Sequence, residues 1–154
     1  MDYTNDFEPD WLNKTLEVLE NDIWEYPSFP SYLNRTCYSL RKKPLNDFDT
    51  EDLRIMIGNG IGLKYLVPLA LEVLQKNILA EGDFYEGDLL KFMLISDKKY
   101  WKENVGSWQT VCNLVDENEN LLRTFETVEG IREELFEAFR KFEEIHVSPG
   151  SKSA

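Results

Sequence analysis

The chain has 154 residues, 42% hydrophobic and 13% aromatic, with a formal net charge of −12 at pH 7. A domain of this length buries roughly 70% of the surface its unfolded chain exposes, so composition excludes a disordered chain and a fold that depends on disulfides or metal. The acid excess repels nucleic acid and anionic membrane and attracts basic partners.

That acid lies at the two ends. Residues 1–30 carry eight acids and one base, and residues 101–154 carry eleven acids and six bases, around a nearly neutral middle. The two cysteines, Cys37 and Cys112, are far apart among apolar neighbours. They read as buried free thiols of a reducing compartment. The first ten residues show no basic, apolar signal pattern, and no apolar run reaches the ~18 residues a membrane span needs. A soluble, cytoplasmic protein is expected.

In chain order, Asp10 is placed to cap a first helix, with Trp11, Leu12, Thr15, Leu16, Leu19 and Ile23 at helical spacing. Pro27 and Pro30 end it. Ser31 caps a second helix that carries Leu33, Cys37 and Leu40 and closes in Arg41, Lys42 and Lys43 before Pro44. Asp49 or Thr50 caps a third, stopped by Gly58-Asn59-Gly60. Because proline suits a helix start, the spacing predicts a turn over 63–67 and a buried central helix over 68–76. EGDFYEGD at 81–88 reads as a loop, with Asp88 capping a helix to Ile95 and Ser96 or Asp97 capping the next. Val105, Trp108, Val111, Cys112 and Val115 favour a helix, with a hairpin over 108–127 as the competing reading. The last helix collects Val128, Ile131, Leu135, Ala138, Phe142 and Ile145 on one side and Glu126, Glu129, Glu133 and Glu137 on the other.

The expected class is therefore all-α: a single-domain bundle of about seven to eight helices over residues 1–147, with a disordered polar tail at 148–154. The alternative is α+β with the small hairpin.

The chain offers few catalytic signals. Glycines 58, 60 and 62 lack the third glycine and the preceding strand of a dinucleotide fingerprint, and no P-loop lysine follows. From Asp83, the first, third and fifth positions read Asp, Tyr and Gly, which fails the calcium-loop pattern. One histidine and two distant cysteines do not make a zinc set. His146 stands at the frayed end of the last helix without an orienting partner. No catalytic, cofactor or metal residues are assigned.

Several blocks together resemble the immunity proteins of bacterial contact-dependent growth inhibition (CDI) systems. They are YPS at 26–28, Cys37 with LRKKPL at 40–45, EDLRIMIG at 51–58, IGLKYLVPLALEVL at 61–74, EGDFYEGDLL at 81–90 and YW at 100–101. The resemblance implies a cytoplasmic antidote without catalytic activity. Such a protein binds the toxin domain, often a nuclease, that a neighbouring cell delivers from the C-terminal tip of a large surface protein. It implies a shared middle that builds the fold and variable surfaces that recognise the toxin.

On this reading the toxin-binding candidates are the loop acids Glu81, Asp83, Glu86 and Asp88 and the stripe Glu126, Glu129, Glu133 and Glu137. Helix capping is the preferred reading of Asp83 and Asp88, and a plain solvated face is an equal reading of the stripe. An intracellular adaptor with a basic partner, and a small enzyme, are the rival functions.

Overall fold

The computed structural model describes residues 6–146. The tail expected at 148–154 lies outside the described residues. The chain runs through a 3-10 turn at Trp11–Asn13, α1 (Leu16–Leu19), α2 (Tyr32–Leu40), a 3-10 turn at Leu45–Asp47, α3 (Thr50–Gly58) and α4 (Leu63–Lys76). It continues through α5 (Asp88–Leu94), α6 (Lys98–Glu103), α7 (Val105–Glu117), α8 (Glu119–Thr124), α9 (Ile131–Glu143) and a closing 3-10 turn at Glu144–His146. No strand occurs among the described residues, and the fold is all-α. The segment that could have formed a hairpin is α7 followed by α8. Val111, Cys112 and Val115 are buried on one side of α7, and the Asn118 side chain donates to Leu114 O at its end (2.8 Å).

Two boundaries differ from expectation. The first helix is not continuous: Lys14 is extended, and only Leu16–Leu19 is α-helical, capped by the Thr15 hydroxyl accepting from Val18 N. The chain here bonds to the body instead of to itself. Leu45 N donates to Lys14 O (3.0 Å) and Glu17 N to Arg41 O (3.2 Å). Asn21 then takes a positive φ of 50° and turns the segment away.

The second difference is α4, which begins at Leu63 and carries Pro68 inside. An interior proline costs about 3 kcal/mol. Leu63, Leu66 and Val67, all ahead of Pro68, are buried, and each such side chain contributes roughly 1.5–3 kcal/mol, so burial outweighs the penalty. Gly62 makes the entry possible. Its φ of +67° is one that L side chains rarely adopt, and a Cβ there would stand 2.7 Å from Leu16 Cδ1.

Other local signals are obeyed. Ser31 accepts from Asn34 N, Asp97 from Lys99 N, and Asp49 forms a reciprocal capping box with Asp52. Leu53 to Ile57 of α3 are all buried, since α3 packs against α2, α4 and α5. Helix α5 in turn packs on α9, and α4 on α7. At the far end the buried Trp101 donates to Ser96 Oγ (2.8 Å), which donates to Met93 O, while its ring meets Phe142 edge-on at 5.0 Å.

Candidate functional site

The loop 81–88 lies against the start of α3, and a buried polar cluster joins the two. Arg54 of α3 donates to both carboxylate oxygens of Glu51, with Nε to Oε1 at 2.6 Å. Its guanidinium lies 4.0 Å from the Phe84 ring centroid and 4.7 Å from that of Phe92. Asp88 is fully buried and accepts from the backbone amides of Gly82 (2.6 Å), Phe84 (2.9 Å) and Tyr85 (3.3 Å), with Arg54 Nε 4.0 Å from Oδ2. Glu51 also accepts from Asp83 N (2.8 Å). Hydrogen bonding from Arg54, with a smaller contribution from the Asp83 amide, holds the Glu51 carboxyl below the usual range. Gly82 permits the close approach, since a Cβ there would stand 2.5 Å from Glu51 Oε1.

This geometry sorts the four loop acids. Asp88 is not the forward cap of α5: Gly87 holds that position, and the Asp88 carboxylate reaches back to staple the loop. Glu81, Asp83 and Glu86 are exposed around it and form no ion pair among the described residues.

The four acids near the C-terminus are not one helical stripe. Gly130, at φ +93°, starts α9 late, so Glu126 and Glu129 precede the helix and only Glu133 and Glu137 lie on it. All four are exposed. Glu137 is paired with Arg140 (2.7 Å) and lies 3.8 Å from Lys141, while Glu133 shares a shallow depression with Arg123 and Arg132. This face carries mixed charge. Glu126, Glu129 and Glu133, like the three exposed loop acids, form no ion pair among the described residues.

The basic run at the end of α2 is engaged in ion pairs, although the buried Arg41 Nε has no hydrogen-bond partner among the described residues. Arg41 pairs with Glu20, Lys42 with Glu17 (3.1 Å) and Lys43 with Asp52 (2.6 Å). Arg41 is 2% exposed, also donates to Asp22 O, and lies 4.5 Å from the Trp24 ring centroid. It thereby pins the segment after α1 as a strap across α2.

Beyond this pin the chain exposes a feature not anticipated from the acids. Of the twelve large apolar side chains exposed among the described residues, Ile23, Trp24, Tyr26, Phe29, Tyr32 and Leu33 are half. Phe29 is 88% exposed, Ile23 74% and Tyr32 70%. Beside them a groove of about 640 Å³ opens between the strap, α2 and the turn after α3. The sequence signal was an aromatic-rich run punctuated by Pro27 and Pro30, which no helical period could bury.

The histidine and the two cysteines are engaged in packing. His146 contacts Trp101 O through Nε2 (2.7 Å) and its ring meets Trp108 at 4.7 Å. Cys37 and Cys112 are buried and free, and burial pushes both thiols up, Cys112 to about 12. Among the described residues, no three His, Cys, Asp or Glu side chains come together as a metal-holding group, and no helix is long and apolar enough to cross a membrane.

Comparison with known proteins gives one match. A family model described as CDI immunity proteins matches residues 17–111, more than half of the chain. No curated protein and no solved structure matches it. The matched region runs from α1 into α7 and so contains the strap, the engaged basic run, the groove and the stapled loop; α8 and α9 lie beyond it.

Proposed function

This chain belongs to the family of CDI immunity proteins, and we propose that it is a cytoplasmic antidote, without catalytic activity of its own, that binds a cognate toxin domain and obstructs its active site or its access to substrate. The observation that carries this reading is the family match, which spans the elements that hold the exposed surfaces in place. Charge supports the choice of partner. A net charge of −12 with exposed, unpaired acids on a stapled loop suits a basic, nucleic-acid-handling toxin such as a nuclease.

The two kinds of surface have different work. Glu81, Asp83 and Glu86 steer a cationic partner at long range, while Asp88 keeps their loop rigid so that little is spent ordering it on binding. Contacts that decide affinity come from buried aromatic anchors more than from rim charges, and the aromatic run 23–33 supplies such groups.

A growth test addresses the proposal. Cells expressing the toxin domain encoded next to this gene should survive when they also express this protein, and should die when they express an unrelated immunity protein. Failure to protect against the adjacent toxin removes the reading.

A further inference from the structure

We propose that the groove beside the strap receives an arginine side chain of the cognate toxin, with the neighbouring aromatic run as its anchoring ledge. This rests on the immunity reading and adds where the partner docks and by what chemistry. The groove's apolar walls include Trp24, Leu33 and Ile61. Its polar side chains are Glu25, Asn34 and Asn59.

The hydrogen bonds of those three decide what they can offer. Asn34 donates its NH2 to Phe29 O (3.3 Å) and Asn59 donates its own to Ile55 O (2.7 Å). Each amide oxygen, and the second N–H of each NH2, is left without a partner among the described residues. Glu25 has no ion pair there either, while the indole N–H of Trp24 is already given to Asp22 Oδ2 (3.2 Å). The groove thus presents two amide groups with spare acceptor oxygens and N–H donors, one negative charge and an aromatic ring whose indole donor is already used.

The unpaired Glu25 charge beside aromatic and apolar walls selects a cation with a long apolar stem. Arginine supplies five N–H donors in a planar fork, stacks on aromatic faces and buries its methylenes along apolar walls. Lysine lacks the planar fork, and a carboxylate would meet Glu25. The Trp24 ring already accepts one guanidinium, that of Arg41. A second copy of the chain is a poor occupant because both copies carry −12. The ledge fits the same partner: exposed apolar groups rimmed by polar ones mark protein interfaces, and aromatic residues dominate their energetics.

The test uses the full chain and the toxin domain encoded beside it. Calorimetric titration of wild type, Glu25→Lys and Leu33→Lys is combined with hydrogen exchange on the wild-type complex, which does not depend on either variant folding. We expect each variant to bind about 30-fold or more weakly, residues 23–37 to gain protection in the complex, and one toxin Arg→Glu substitution to restore binding to Glu25→Lys. If wild type binds tightly, both variants bind equally well and residues 23–37 exchange as in the free protein, the groove is not the docking site, although the immunity reading stands. If wild type neither binds nor protects, the immunity reading falls and this proposal with it. A free wild-type dimer in sedimentation that Leu33→Lys dissociates would assign the face to a second copy and overturn the proposal.

Discussion

Asp88 and Arg54 lie 4.0 Å apart in the interior, a fully buried aspartate beside an arginine that is 6% exposed. Each has further partners: three loop amides for Asp88, and Glu51 with two phenylalanine rings for Arg54. EDLRIMIG and EGDFYEGDLL are thereby one physical unit. Removing Asp88 would strip three amides of their acceptor and leave Arg54 with one carboxylate. We expect Asp88→Ala to cost about 3–5 kcal/mol in urea unfolding, and Asp88→Asn, which keeps one acceptor oxygen, to cost less.

The same unit gives a pH dependence with a definite sign. Glu51 ionises more readily in the folded protein, chiefly because Arg54 donates to its carboxylate. In the unfolded chain it returns to the ordinary value of about 4.3. As pH falls the unfolded state therefore takes up the proton first, so the contribution is complete above that value and is lost as pH falls through the lower folded one. Urea midpoints of wild type and Glu51→Gln should differ at neutral pH and converge in acid.

Charge steering should be separable from fold. Reversing Glu81, Asp83 and Glu86 together to lysine should slow association with the toxin by about tenfold or more at low salt, with the unfolding midpoint little changed. Reversing Glu133 and Glu137 should matter less, because arginine and lysine already stand beside them. Stopped-flow rates from low to physiological salt measure both, and wild-type rates should fall as salt rises.

Thiol chemistry offers a simple check on packing. Cys37 and Cys112 are buried, and burial pushes the Cys112 thiol up to about 12. At pH 8 a thiol reagent should label neither in the folded protein and both in urea.

Helix class and most caps were legible because they are local. Ser31, Asp49 and Asp97 bond amides within three residues, and the period through Leu135, Ala138 and Phe142 reports one buried side. The failures share a cause. Trp11 to Ile23 has helical spacing, but Lys14 and Glu17 bond to Leu45 and Arg41, partners that no window along the chain contains. Pro68 reads as a helix start until the burial of Leu63, Leu66 and Val67 is known. Glu126 and Glu129 continue an acidic spacing that Gly130 interrupts. Asp88 looked like a cap because capping residues and loop staples use the same carboxylate. The candidate site was least legible where it is least regular: counting charge led to the acids, and the aromatic run with its groove emerged only once the strap was seen to cross α2.

The strap and the stretch from Lys14 to Leu19 that leads into it are fastened by main-chain atoms as well as by the Glu20, Trp24 and Tyr26 side chains. Arg41 holds the carbonyl of Asp22, Glu17 gives its amide to Arg41 O, Lys14 its carbonyl to Leu45 N, and the Tyr65 hydroxyl reaches Leu19 O (3.4 Å). Main-chain atoms are the same for almost every residue type. The outward side chains at 23 and 29 can therefore be exchanged while these fastenings remain, whereas Tyr26 meets the Tyr38 ring at 5.3 Å. A lineage could re-aim such a surface at a new toxin through changes in this one segment and leave the helices beneath untouched.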